Sequence, residues 1–404
     1  MISAKEAIDI VLSNTAHWGN EEVAISNCTG RVLQEDIVAD RDFPPFDRVT
    51  MDGIAIKFDE FNSGIREFEI TEVQTAGEKQ KVLLGKATAH EIMTGAVMSS
   101  KADVVVRYED VDVYSKDNRQ YAKVNLQNLV PWKNVHKRGS DQKKGDGLLK
   151  KGRTLSASDV AILATVGKEK VLVSKLPKVA IISTGDELVE VGQIPQNHQI
   201  RMSNSIMIQA KLNELNVENE LFHLLDDYDG LLLKVGDVLN DFDVLLISGG
   251  VSKGKADYIP EVLNQLGVEK LFHRVAQRPG KPFWFGKKGG NKFVFALPGN
   301  PISTFMCFTV YFLPWLQKSL HVTSQKELFA ILDEDFNFLP NLTYFLQADC
   351  RVSENGLLIA SSREGRGSGD LSNLIESNGF LELLSDRSLY RKGERFKVYM
   401  FRNF

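Results

Sequence analysis

From Val179 to Leu297 short apolar runs alternate with amphipathic stretches, and this alternation predicts the centre of the fold. Val179 to Ser183, Val217 to Leu225, Val244 to Ile247, Phe283 to Phe285 and Phe293 to Leu297 read as strands, while Asn204 to Leu215, Leu231 to Asn240 and Tyr258 to Leu266 keep helical spacing. Strands that run apolar without alternation are buried on both faces. The series therefore predicts an open, mostly parallel sheet with helices on both sides. After Pro301, the run Ile302 to Leu316 carries Ser303, Thr304, Thr309 and Pro314 and is too short to span a bilayer, so it reads as a buried helix.

The flanks have other periods. Ala7, Ile10, Val11 and Asn14 sit at helical spacing behind a Ser3 cap with Glu6 three residues on. Pro44-Pro45 forces an extended entry, and Asp52-Gly53 predicts a turn followed by a hairpin. From there to about Gln127 the pattern is β. Residues 138–176 are rich in glycine and charge before SASDVAILATVG makes a capped helix closing on Gly167. Short strands at regular spacing fill the last segment. The expected organisation is multidomain α/β and β: a mixed domain in two pieces (1–45 and 138–176), an inserted β-rich domain (46–137), the α/β domain (177–325) and a C-terminal β-barrel (326–404).

Composition narrows the function classes. A length of 404 residues calls for several cores, and 43% hydrophobic with 25% charged residues is usual for a soluble globular protein. The net charge of -4 gives no general attraction to nucleic acid or an anionic membrane, so a basic site must be local. Cys28, Cys307 and Cys350 form no CxxC, which argues against a disulfide framework or zinc ribbon and fits a reducing cytoplasm. The N-terminal MISAKEAIDIV does not read as a signal peptide.

Ligands of open α/β sheets bind at the carboxyl ends of the strands. Thr184-Gly185-Asp186-Glu187, Asp226-Asp227, Ser248-Gly249-Gly250 and Leu297-Pro298-Gly299-Asn300-Pro301 all fall there, which predicts one composite pocket. A strand that breaks on glycines before a helix frees backbone N–H groups for an oxyanion. Gly249 to Lys255 also satisfies G-x-x-x-x-G-K, but Ala256 stands where a P-loop needs a hydroxyl. Glu187, Asp226 and Asp257 could converge on Mg²⁺, and Arg274, Arg278 and Lys281 could clamp an oxyanion. Taken alone, Thr94-Gly95-Ala96, Glu109-Asp110 and the Arg363 to Asp370 loop read as turn and surface residues. The residues by themselves describe a cytoplasmic enzyme using Mg²⁺ and a phosphorylated, nucleotide-like ligand.

FPPFDRVTMDGIAI, IMTGAVMSSKADVVVRYED, STGDEL, SNS, SGGVSKGKADY, RPGKPFWFG and LPGNPIS, in that order, resemble the motifs of the molybdopterin molybdotransferase family (MoeA-like), to which the gephyrin E domain is related. The resemblance implies insertion of molybdate into adenylylated molybdopterin with release of AMP and assistance from Mg²⁺. It implies that Glu187, Asp226 and Asp257 serve the cation and phosphoanhydride, and that Arg274, Arg278 and Lys281 hold oxyanions. Ser248, Gly249, Gly250, Ser252, Pro298, Asn300 and Pro301 would shape the pterin and nucleotide pocket, joined by Thr184, Gly185, Asn204 and Ser205. Asp52 and Thr94 match positions that reach the other subunit's site, implying a homodimer, and Asp141 and Ser368 match further site positions. The molybdopterin adenylyltransferase is an implied delivery partner. Alternatives are that adenylyltransferase activity itself, which would not need the flanking domains, or a gephyrin-like peptide-binding scaffold, which would not need the full set of pocket charges. Departures are Arg274 and Arg278 where the family has Lys, Lys253 where it has a small or apolar residue, and Arg48-Val49-Thr50 before Met51.

Overall fold

The computed structural model describes residues 1–252, 257–323 and 327–402. It divides into two compact units, one of Met1–Glu35, Lys151–Ala157 and Lys170–Phe404, the other of Asp36–Lys150 and Ser158–Glu169.

A six-stranded sheet organises the first unit, in the spatial order Asn219–Leu224, Val179–Thr184, Val244–Ser248, Lys292–Leu297, Trp284–Lys288, Glu269–His273. The first four strands pair in parallel and the last two join antiparallel. Val244–Ser248 lies inside the parallel part and is buried throughout, as its unbroken apolar run requires. Successive side chains enter opposite cores: Ile181, Leu246 and Phe295 pack with Ile208 and Trp315, whereas Ile182, Ile247 and Ala296 pack with Val235 and Val262. The strand ends are level, with Ser183 opposite Ser248 and Ser248 opposite Leu297.

Helices stand where the periodicity places them, at Ser203–Glu214, Tyr228–Asp241 and Ile259–Gln265. The buried helix is interrupted: a π-helical turn, Phe308–Phe312, separates Pro301–Cys307 from Leu313–Ser319. The opening helix Ala4–Ser13 has the expected capping box, Glu6 N–H donating to Ser3 Oγ at 3.1 Å and Ser3 N–H to Glu6 Oε2 at 2.8 Å. Val275–Arg278, a strand with too few residues to show a period, pairs with Ile2–Ser3 on one side and Thr343–Val352 on the other. The C-terminal strands Thr343–Val352, Leu358–Ser362, Leu328–Leu332, Arg395–Met400 and Gly379–Leu383 pair in that order, and the last closes on the first as a five-stranded barrel. Closure leaves no free edge.

The second unit holds a six-stranded sheet in the order Val104–Arg107, Gly53–Ile56, Thr88–Ile92, Glu67–Gln74, Arg119–Val124, Val111–Lys116. The hairpin expected after the Asp52-Gly53 turn does not form. Arg48–Val49 pairs with Val135–His136, while Gly53–Ile56 runs between Val104–Arg107 and Thr88–Ile92. Gly53 answers to close approach: a Cβ there would lie 1.9 Å from the Val106 carbonyl oxygen. Gly53→Ala should therefore cost about 1–3 kcal/mol in urea unfolding followed by circular dichroism. Gly147→Ala, whose added carbon meets nothing within 4 Å, should be neutral or slightly stabilising.

Candidate active site

A cavity of about 800 Å³ opens at the carboxyl edge of the parallel strands, a size suited to a small-molecule ligand. Its acids come from separate loops, Glu187 after Val179–Thr184, Asp226 after Asn219–Leu224, and Asp257 before Ile259–Gln265. Arg278 and Lys281 enter the same cavity from the turn following Val275–Arg278. Opposite charges thus share one chamber.

Backbone contacts hold these loops together. Gly185 N–H donates to the Leu224 carbonyl at 3.3 Å and Gly249 N–H to the Leu297 carbonyl at 3.2 Å. A Cβ on Gly249, whose φ is 103°, would lie 2.6 Å from the Thr184 carbonyl oxygen, so only glycine lets these strand ends approach. Asn204 Nδ2 donates to Ser248 Oγ at 2.9 Å and to the Gly299 carbonyl at 2.7 Å. Asn300 Nδ2 donates to Ser368 Oγ at 2.7 Å. Two buried atoms at the cavity wall, Thr184 Oγ1 and Asn204 Oδ1, have no hydrogen-bond partner among the described residues. Because buried polar atoms are nearly always paired, they suit a bound polar ligand. The helix Ser203–Glu214 begins at the cavity with no side-chain cap, which favours an anion at its first turn.

Burial pushes the Asp226 carboxyl above its usual range, and the charges of Asp186, Glu187 and Asp257 push it further. A hard cation would relieve that repulsion. Among the described residues no three acids, histidines or cysteines form a ready metal cage. Mg²⁺ needs only one or two carboxylates, with phosphate and water completing its shell.

Of the residues singled out from sequence, Thr184, Gly185, Glu187, Asn204, Asp226, Ser248, Gly249, Gly250, Ser252, Asp257, Arg278, Lys281, Pro298, Asn300, Pro301 and Ser368 line the cavity. Ser205 is buried in the helix behind the wall. Arg274 does not line the cavity; its backbone N–H donates to the Phe283 carbonyl at 2.9 Å. Asp52, Thr94 and Asp141 belong to the second unit. There Thr94 N–H donates to Asp52 Oδ1 at 2.6 Å, which holds the Asp52 carboxyl below its usual range, and Asp141 meets His136 at 2.7 Å. Asp227 caps the helix Tyr228–Asp241 through Gly230 N–H. Lys253, and the Lys255 and Ala256 of the near P-loop, lie outside the described residues. Arg201 and Gln277 also line the cavity and escape motif reasoning. A guanidinium two residues before a helix start is the signal that points to Arg201.

Three family models match in succession: the MoeA N-terminal region (domain I and II) over residues 2–167, a probable molybdopterin binding domain over 180–318, and the MoeA C-terminal region (domain IV) over 330–401. A molybdopterin molybdenumtransferase of Synechocystis sp. is 38% identical, the match covering 99% of this chain and 100% of the relative. The chain belongs to the MoeA family. One from Staphylococcus aureus is 33% identical over 89% of this chain and 86% of its own length. Among solved structures, a MoeA protein of Pyrococcus horikoshii superposes with a TM-score of 0.82 at 32% identity, covering 100% of both chains. In MoeA terms, Glu187, Asp226 and Asp257 fall in the molybdopterin-binding match, and Ser368 in the C-terminal one.

Asp226 gives a pH test. Its folded-state pKa is raised, so folding takes up a proton between the ordinary and the raised value; the cost is absent at lower pH and fully felt above the raised value. Without added divalent cation, Asp226→Asn should melt above the parent at about pH 7.5, and the gap should close as pH falls toward the ordinary carboxylate range. Differential scanning fluorimetry across pH measures both.

Proposed function

We propose that this chain inserts molybdenum into molybdopterin, taking adenylylated molybdopterin and molybdate as substrates and releasing AMP. The observation that carries the reading is the shared cavity, in which three carboxylates from separate loops and two cations from a fourth face one volume of ligand size. One or two of Glu187, Asp226 and Asp257 would hold Mg²⁺, which when bound neutralises phosphoanhydride charge. The Arg278 guanidinium and Lys281 ammonium bind oxyanion oxygens, the first as a fork and the second as a point charge. Ser248 to Ser252 and Pro298 to Pro301 form walls for the pterin nucleotide, with Thr184 and Asn204 supplying polar atoms inside the protein. Arg278 lies 5.4 Å from the Tyr344 ring and 5.7 Å from that of Phe338, so aromatic faces support its cation from the barrel side.

The reading includes a homodimer in which the partner subunit's Asp52 and Thr94 complete each site. It also places the protein in the cytoplasm, where its three buried, free cysteines remain thiols. The direct test supplies adenylylated molybdopterin, Mg²⁺ and molybdate and follows AMP together with active cofactor. Glu187→Gln should lower AMP release by about 100-fold or more while leaving the oligomer intact on size exclusion; near-parental release would remove Glu187 from the reaction. Subunit sharing has its own readout. Glu187→Gln and Asp52→Asn proteins should each be inactive, yet mixed and reassociated in equal amounts they should recover about a quarter of parental activity, since half the dimers then carry one intact site. No recovery despite subunit exchange would place Asp52 in its own subunit's site.

A further inference from the structure

We infer that Tyr311 and Gln277 form a buried relay that positions the cationic turn Arg278-Pro279-Gly280-Lys281, making both of them positioning residues for the oxyanion substrate. The inference rests on the reading of Arg278 and Lys281 as the groups that hold that substrate.

Gln277 ends up buried, 1% exposed, immediately before the turn. Its Nε2 donates to the Gly280 carbonyl at 3.1 Å and reaches Cys307 Sγ at 3.6 Å, while its Oε1 accepts from the Tyr311 hydroxyl. One amide therefore ties the turn to the helix behind it. Tyr311 stands in the π-helical turn Phe308–Phe312, with its ring 4.8 Å from that of Phe283 and 6.4 Å from that of Phe345. A π turn inserts one residue into a helix and commonly marks a functional position; here it accompanies a buried hydroxyl within reach of the turn. The contact is tight: a Cβ on Gly280 would lie 2.7 Å from Cys307 Sγ and 2.9 Å from Gln277 Nε2. Replacing Tyr311 by Phe leaves the Gln277 oxygen buried without a donor, so the amide reorients and Gly280 loses its tether.

The experiment varies molybdate at saturating adenylylated molybdopterin and Mg²⁺ and reads AMP release. Tyr311→Phe should raise the KM for molybdate by about tenfold, the equivalent of one buried hydrogen bond. Its kcat should stay within about twofold and the KM for the pterin nucleotide should not move. A second variant separates positioning from stability. Tyr311→Phe combined with Gln277→Met removes both polar partners, so it should regain the parental melting temperature while the molybdate KM stays raised. A parental molybdate KM in Tyr311→Phe, or a double variant that regains both quantities, overturns the inference. Arg278→Ala identifies the level of failure. If it raises the molybdate KM and Tyr311→Phe does not, the relay alone is wrong; if neither moves it, the assignment of the cations falls and the relay with it.

Discussion

The level register of four parallel strands is the constraint on which the site depends. Because Val179–Thr184, Val244–Ser248 and Lys292–Leu297 alternate side chains between two cores, a slip of one residue would swap each strand's two side-chain sets into cores packed around the other. Packing therefore locks the register, and the register places Thr184, Ser248 and Leu297 along one edge. The loops that leave that edge have no choice but to meet. Gly249 completes the arrangement by letting its backbone approach that of Thr184 more closely than any side chain would permit.

Concentrating acids in a half-buried place is unfavourable, and the raised Asp226 carboxyl records that cost. Folding tolerates it because the hydrophobic surface buried by the two cores is large compared with one strained ionisation. Electrostatic strain of this kind is ordinary at sites whose ligand supplies the missing charge. The same volume receives Arg278 and Lys281 from the turn after Val275–Arg278, a strand that pairs with the barrel and not with the α/β sheet. The barrel, which among the described residues carries no acid or base in the cavity wall, thus contributes by holding the strand that delivers the cations.

Much of this was legible in the residues. Unbroken apolar strands, regular helices and polar loops at every strand end indicate both the sheet and its working edge, since burial on two faces and the carboxyl-edge rule are strong constraints. The order of the motifs along the chain is that of the family whose three models match it. Three features were not legible, for physical reasons. Val275–Arg278 is too short to show a period, and its partners lie at opposite ends of the chain. The role of Gly53 depends on Val106, distant in sequence, so its local signal resembled a turn. Arg274 and Arg278 are alike as residue types, and only the backbone path separates the one that lines the cavity from the one that does not.

The central claim is that acids hold a divalent cation and bases hold an oxyanion within one chamber. Crystals soaked with Mn²⁺ and tungstate, with anomalous differences collected for each element, test it most directly. The account predicts two peaks in the same cavity, manganese against Glu187, Asp226 or Asp257 and tungsten against Arg278 and Lys281. Peaks on separate surfaces, or a tungsten site away from both cations, would contradict it.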